Sequence, residues 1–87
     1  MKPLSALAVL LAFSLVTTAQ ASCDEEDIDK VGDNGGIIIL KDGSVWKSLD
    51  PIASSLWLSL DTVLVCDNGK MINKDENGET VDVVRLH

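Results

Sequence analysis

Side chains suited to nucleophilic catalysis are scarce in this chain. Catalysis of the Ser-His-Asp or Cys-His type needs an imidazole held beside the nucleophile. The single histidine is His87, the last residue, where a chain is expected to fray, and tyrosine is absent. Two carboxylates at a set separation hydrolyse glycosidic bonds, but among fourteen acidic residues some pair meets that separation by chance. The sequence therefore predicts a protein that is not an enzyme.

Carboxylates are also the only plentiful metal ligands. Asp27-x-Asp29-x-x-Gly32 has the opening spacing of a calcium-binding loop, but its fifth position is Val31 and its twelfth, which needs Glu, is Ile38. Histidine and cysteine do not cluster as a zinc site requires. We predict no metal site and no cofactor.

Cys23 and Cys66 are the only two cysteines. In an exported chain an even pair is expected to form a disulfide, and closing a loop of about 43 residues stabilises the fold by about 4 kcal/mol. Two alternatives stay open. One is lipidation of Cys23, although Gln20 stands where a lipidation signal needs an aliphatic residue; the other is a bond from Cys23 to a second molecule.

Trp46 and Trp57 are the only aromatic residues after residue 21. Each brings a large apolar surface with one N–H to satisfy, so both are expected to anchor the core. The alternative is that one of them is exposed in a ligand groove for a peptide or glycan. Trp57 follows a loop and is the better candidate of the two.

The first 21 residues have the pattern of an export signal. Lys2 precedes an apolar run, Leu4 to Val16, and Ala19-Gln20-Ala21 has the small-x-small pattern that signal peptidase accepts. The run of about 13 residues is too short to span a bilayer core of about 30 Å. We expect cleavage after Ala21, a periplasmic or secreted protein and no membrane span.

The remaining residues, 22–87, are strongly acidic. Without Lys2, six basic residues face fourteen acidic ones, a net charge of −8. This excess argues against nucleic acid and anionic lipid as partners and favours a basic or polar protein surface. A domain this small buries too little surface to be stable without a staple.

Composition divides the processed chain at residue 36. Residues 22–36 (SCDEEDIDKVGDNGG) are acidic and rich in glycine, so we expect a flexible N-terminal arm unless Cys23 holds it in place. Residues 37–87 alternate strand formers with turn residues and are expected to form the folded domain.

Two hairpins and a final strand are predicted within residues 37–87. Asp42-Gly43 and Asn68-Gly69 have the composition of two-residue turns, which would place Leu40 opposite Val45 and Val65 opposite Ile72. Between the hairpins, residues 50–60 form one helical turn or a crossover loop. Glu79 to Leu86 reads as the last strand.

These elements predict an all-β fold, a small five-stranded antiparallel barrel that is a Src-homology-3-like or oligonucleotide-binding-fold-like meander. Strands at the open edges, Ile37 to Leu40 or Glu79 to Leu86, could pair between subunits. We therefore expect a monomer or a weak dimer.

The chain resembles a group of small exported bacterial proteins of uncharacterised families in five segments: Asp42-Gly43-Ser44-Val45-Trp46, Leu56-Trp57-Leu58, Val63-Leu64-Val65, Asn68 to Asn73 and Gly78-Glu79-Thr80-Val81. Their shared core is DGSxW … WL … DxVxV … NGKMIN. The resemblance covers Ile37 to Leu86 and consists of turn and core residues. It implies a small β-barrel and no particular activity.

The function expected from these features is that of an exported, non-catalytic binding or adaptor module of the bacterial envelope. The charge favours a basic partner. The alternative is a structural or envelope-stress protein without a dedicated ligand.

Overall fold

A computed structural model describes residues 21–87. The predicted signal peptide, residues 1–21, lies outside these described residues except for Ala21. The described chain forms six strands and a four-residue helix: β1 (Cys23–Gly32), β2 (Ile37–Leu40), β3 (Val45–Ser48), α1 (Pro51–Ser54), β4 (Thr62–Cys66), β5 (Lys70–Asn73) and β6 (Glu79–Arg85). A 3-10 turn, Asp33–Gly35, joins β1 to β2.

The strands close into an antiparallel barrel in the order β1-β2-β3-β6-β5-β4. The prediction of a small all-β barrel is confirmed, with six strands in place of five. Both strands expected at an edge are paired on each side: β2 with β1 and β3, and β6 with β3 and β5. In residues 21–87 edge-to-edge pairing is therefore not a route to a dimer.

Cys23 holds the acidic segment in place, which is the exception to the predicted flexible arm. Residues 23–32 form β1, and the folded domain begins there instead of at residue 37. The first half of β1 pairs with β4 and the second half with β2, with a bulge between Ile28 and Lys30. Cys23 stands directly opposite Cys66 and is bonded to it, while Ile28 is completely buried. The predicted disulfide is confirmed, and it leaves no thiol at Cys23 for a lipid or a second chain.

The first hairpin is one residue out of the predicted register. Gly43 has φ +89°, but Asp42 is not in the left-handed region, so the two-residue turn that needs positive φ at both positions does not form. The Gly43 N–H donates to the Leu40 carbonyl at 2.9 Å, closing a three-residue loop. Ile39 therefore faces Val45.

The second hairpin departs from its prediction in the same way. Gly69 alone takes a positive φ, +82°, and its N–H donates to the Cys66 carbonyl. Val65 consequently faces Met71 instead of Ile72.

Inward-facing side chains from β1, β2, β4, β5 and β6 fill the barrel together with Trp57, and Trp46 of β3 packs against them. The fully or nearly buried apolar members are Ile28, Ile38, Leu40, Trp57, Val63, Met71, Val81 and Val83. The alternation that places Val81 and Val83 inward and Val84 outward along β6 agrees with the sequence pattern.

One end of the barrel is closed by residues 49–60, which we call the plug. Pro51 takes the first helical position, where its missing N–H costs nothing. Of the two alternatives predicted for residues 50–60, a helical turn or a crossover loop, the helical turn forms as α1. The Ser54 hydroxyl is fully buried and donates to the Gly35 carbonyl at 2.7 Å. Trp57 follows and enters the core.

Loss of the disulfide should destabilise the fold strongly. Replacing both Cys23 and Cys66 by Ser is expected to lower the free energy of unfolding by about 4 kcal/mol, because the unfolded chain regains the freedom of a 43-residue loop. Urea unfolding of the oxidised, reduced and doubly substituted proteins measures this. Reductant should have no effect on the double variant, and equal stability of the oxidised and reduced wild type would contradict the prediction.

Two glycines with similar backbone conformations should respond differently to alanine. Gly35 (φ +93°) and Gly43 (φ +89°) share the backbone cost of a Cβ, about 1–2 kcal/mol. At Gly35 the methyl group would also collide with the Pro51 carbonyl and the Ser55 backbone, whereas at Gly43 it meets nothing within 4 Å. We expect Gly35→Ala to lower the melting temperature much more than Gly43→Ala. Equal decreases in melting temperature would show that the plug does not pack closely against Gly35.

Candidate binding site at the mouth of the barrel

The end of the barrel opposite the plug opens into a cavity of about 240 Å³. We call it the mouth. It is built by the first half of β1, the β2–β3 loop, the start of β3, and the ends of β4 and β6. Its principal lining residues are Asp24, Glu26, Asp42, Trp46, Val65 and Arg85.

Strand alternation explains why carboxylates of β1 reach the mouth. Asp24 and Glu26 lie two residues apart, opposite Val65 and Val63 of β4, and so point to the same side of the sheet as the buried Ile28. Ile28 fills the core, while the two acids continue the same inward row up to the opening. The cavity wall is therefore acidic where the core row ends.

Trp46 forms the aromatic part of the wall and is held by a short chain of hydrogen bonds. Its indole Nε1–H donates to the Ser44 hydroxyl at 2.8 Å, and that hydroxyl donates to Asp42 Oδ1 at 2.6 Å. The Arg85 guanidinium lies 5.6 Å from the centroid of the Trp46 ring. Arg85 of β6 is the residue that pairs with Trp46 of β3. The ring already faces one cation from its own chain.

The two best-placed carboxyl groups have pKa values shifted in opposite directions. Hydrogen bonds from the Ser44 side chain and backbone lower the pKa of Asp42, and the charge of Arg85 acts in the same direction. Burial raises the pKa of Glu26, and the charges of Asp42 and Asp24 raise it further. Glu26 is thus a carboxylate crowded by like charge, a situation that a bound cation would relieve.

Positive charge in the mouth is limited. Among the described residues that line the cavity, Arg85 is the one basic side chain, against the carboxylates of Asp24, Glu26, Asp42 and Asp67. The Arg85 Nε–H donates to the backbone carbonyl of His87 at 3.0 Å. The electrostatic balance of the mouth therefore favours a positively charged guest.

The expectation that Trp57 anchors the core is confirmed, and the alternative of an exposed ligand groove at Trp57 is wrong. Trp57 is 2% exposed, belongs to the core and donates its Nε1–H to Glu79 Oε1 at 2.7 Å. Trp46, the second of the two candidates, is the one that lines the cavity. The structure thus separates the two tryptophans, one at each end of the barrel.

Sequence reasoning missed Asp24, Glu26 and Arg85 as site residues. A signal was present, because Asp24, Glu26 and Ile28 repeat every second residue as strand positions do. The acidity of the segment outweighs this signal in the sequence and favours an arm over residues 22–36. Arg85 has no local signal, since its partner Trp46 lies 39 positions earlier and meets it only through strand pairing.

The disulfide stands at the rim of the mouth. Cys66 lines the cavity, and its bond to Cys23 fixes the strand that carries Asp24 and Glu26. Within residues 21–87 no three His, Cys, Asp or Glu side chains are arranged to hold a metal ion. No helix in that part of the chain has the length and apolarity needed to cross a membrane.

Comparison with known proteins returns no matching family model, no matching curated protein and no matching solved structure. The resemblance drawn from the DGSxW … NGKMIN core stays a prediction.

Neutralising Glu26 should stabilise the protein in a pH-dependent way. Its pKa in the folded state lies above the ordinary 4.5, so protonation favours folding; that contribution is complete below pH 4.5 and is lost as the pH rises through the raised pKa. Since Gln imitates the protonated group, Glu26→Gln should melt above the wild type at pH 7 and level with it at acidic pH.

The adjacent Glu25 provides the control for this experiment. It faces outward and its Oε1 lies 2.9 Å from Lys74 Nζ, so Glu25→Gln removes an attraction and should not stabilise the protein at pH 7. A melting temperature of Glu26→Gln that stays below that of the wild type at neutral pH would contradict the crowding of charge in the mouth.

Proposed function

We propose that this protein is an exported, non-catalytic binding module of the bacterial envelope whose barrel mouth receives a cationic side chain, lysine or arginine, from a basic protein partner. The observation that carries the proposal is that an indole ring and several carboxylates line the same cavity. A guanidinium or ammonium group satisfies both: the ring face attracts it and the carboxylates accept its hydrogen bonds.

The size of the cavity favours one side chain over a larger ligand. At about 240 Å³ it is smaller than the roughly 300–1,000 Å³ of sites for drug-sized molecules. The end of a lysine or arginine side chain would enter, and the rest of the partner would stay outside. The acidic surface around the mouth would speed the encounter with a basic partner.

Arg85 acts in this proposal as an internal competitor. Its guanidinium lies near the Trp46 ring and is exposed, so a cation from a partner can displace it at modest cost. When no partner is bound, the positive charge of Arg85 partly balances the negative charge of the carboxylates and occupies the face of the Trp46 ring. Removing its charge should therefore increase the affinity of the mouth for external cations.

Chemistry at the disulfide supports the proposed export. Disulfides are typical of oxidising compartments such as the periplasm and the extracellular space. The Ser22 backbone nitrogen lies 3.1 Å from Asp67 Oδ1. Cleavage after Ala21 would turn that nitrogen into an ammonium group beside the Asp67 carboxylate, so the proposed processing site is compatible with the fold. Since Ser22 and Asp67 both line the mouth, this ion pair leaves the carboxylates of Asp24, Glu26 and Asp42 to balance Arg85 and a guest.

Features of the cavity wall support a binding role over catalysis. Among the described lining residues there is no histidine, and Cys66 is held in the disulfide. The remaining polar groups are carboxylates, the Ser22 and Ser44 hydroxyls and the Arg85 guanidinium, a set suited to holding charge. The hydroxyl of Ser44 is already used between Trp46 and Asp42.

Titration with a small arginine peptide tests the proposal. We expect acetyl-Gly-Arg-Gly-amide to bind the exported, oxidised protein in calorimetry, and acetyl-Gly-Gln-Gly-amide not to bind. Trp46→Leu should weaken binding several-fold, because a cation–π contact contributes about 0.5–2 kcal/mol. Arg85→Gln should strengthen it, and acidification through the raised pKa of Glu26 should weaken it.

A charge-matched control separates the mouth from the overall acidity of the protein. Asp24→Asn and Asp82→Asn change the net charge equally, but Asp82 lies on the outside of β6 and pairs with Lys70. Only Asp24→Asn should reduce affinity markedly. Equal effects of both, or no binding of the arginine peptide at millimolar concentration, would overturn the proposal and favour a structural role without a ligand.

A further inference from the structure

The plug exposes an unusual amount of apolar surface. Five of the seven exposed large hydrophobic side chains in residues 21–87 belong to residues 49–60: Leu49 (56% exposed), Ile52 (84%), Leu56 (72%), Leu58 (62%) and Leu60 (69%). Scattered exposed leucines are ordinary, but such a concentration in one short segment marks an interaction surface.

Buried hydrogen bonds hold this surface in place, so its exposure is a property of the fold. The buried Ser54 hydroxyl bonds to Gly35 and Ser48, and the indole of Trp57 is buried and bonded to Glu79. These anchors alternate along the chain with the exposed aliphatic residues. The fold therefore presents those side chains outward at fixed positions.

Leu60 adds an independent sign. Its φ is +74°, a conformation that costs a residue with a Cβ about 1–2 kcal/mol, and its N–H is held by the Ile28 carbonyl at 2.8 Å. The side chain gains little burial in return, since it is 69% exposed. Glycine or asparagine would take this conformation at lower cost and with less exposed apolar surface, so a leucine here suits a surface that becomes covered.

We propose that the plug is a self-association surface and that a second copy of this chain covers it. The five exposed aliphatic side chains together present on the order of 600 Å² of apolar surface. Two such surfaces facing each other would bury on the order of 1,200 Å² in total, which reaches the range of stable protein interfaces. A twofold arrangement needs only this one surface, used by both copies.

The distribution of charge favours a second copy over other occupants. Asp50 is the one charged side chain within the plug, residues 49–60, although the whole chain has a net charge of −7. Two copies can therefore meet there with one carboxylate on each side. A basic partner would find only that carboxylate within the plug, and an anionic membrane would be repelled by the net charge.

The plug and the mouth lie at opposite ends of the barrel. Strand β3 has Trp46 near its start and ends at Ser48 beside α1, and β4 runs from Thr62 after the plug to Cys66 at the mouth. A dimer through the plugs would point its two mouths away from each other. If the proposed function holds, the dimer is a bivalent binder that joins two basic partners or two sites on one of them.

Sedimentation of the exported, oxidised protein from micromolar to millimolar concentration tests the dimer. We expect a monomer–dimer equilibrium that tightens as salt is added, because screening weakens the repulsion between two acidic barrels. Binding of the arginine peptide to the mouth should weaken with salt. Because salt should strengthen the dimer and weaken peptide binding, the failure of the dimer can be told apart from the failure of the binding site.

Variants at two positions of the plug make the test specific. Ile52→Glu and Leu58→Glu should each raise the dimer dissociation constant at least tenfold while leaving the melting curve of the monomer intact, since both side chains are exposed. Val84→Glu adds the same charge at another exposed aliphatic residue, on β6, and should weaken the dimer much less.

Three results would overturn this inference. The first is a monomer at every concentration and salt. The second is a dimer that both plug variants leave unchanged or that Val84→Glu disrupts equally. The third is a protein that stays monomeric but sediments with vesicles of neutral phosphatidylcholine, which would assign the plug to a lipid surface.

Discussion

The pairing of β1 with β4, secured by the disulfide between Cys23 and Cys66, closes the barrel and holds its acidic first strand in place. β1 is a poor strand by composition, since it carries five carboxylates and its fully buried side chain is Ile28. The exposed ion pair of Glu25 with Lys74 contributes little by itself. The covalent link supplies what the side chains lack. It closes the barrel and builds the acidic wall of the mouth.

The two ends of the barrel differ in how the open ends of the core are covered. At the plugged end, Ser54 and Trp57 fill the opening and satisfy their polar atoms with Gly35 and Glu79. At the open end, the inward row of β1 continues into carboxylates, so the opening stays polar. Crowded charge at Glu26 and an exposed apolar plug both cost stability. Such local costs are expected where a surface serves binding.

Much of the fold could be predicted from local patterns, and the departures have specific causes. The β-branched runs and the two Gly turns follow from propensity, the shared face of Val81 and Val83 from alternation, and the disulfide from the single pair of cysteines. The registers of both hairpins were one residue off, because an Asp-Gly or Asn-Gly pair serves two-residue and three-residue loops alike. Only the backbone shows that Gly43 and Gly69 take positive φ without their neighbours.

Residue type and near neighbours account for the strand formers, the turn positions, the acidic balance and the pair of cysteines. They do not account for the strand formed by the acidic N-terminal segment, nor for the place of Trp46 in a cavity wall and of Trp57 in the core. Both depend on contacts between distant residues: Cys23 with Cys66, and Trp46 with Arg85. These contacts form when the barrel closes, and local propensity does not predict them.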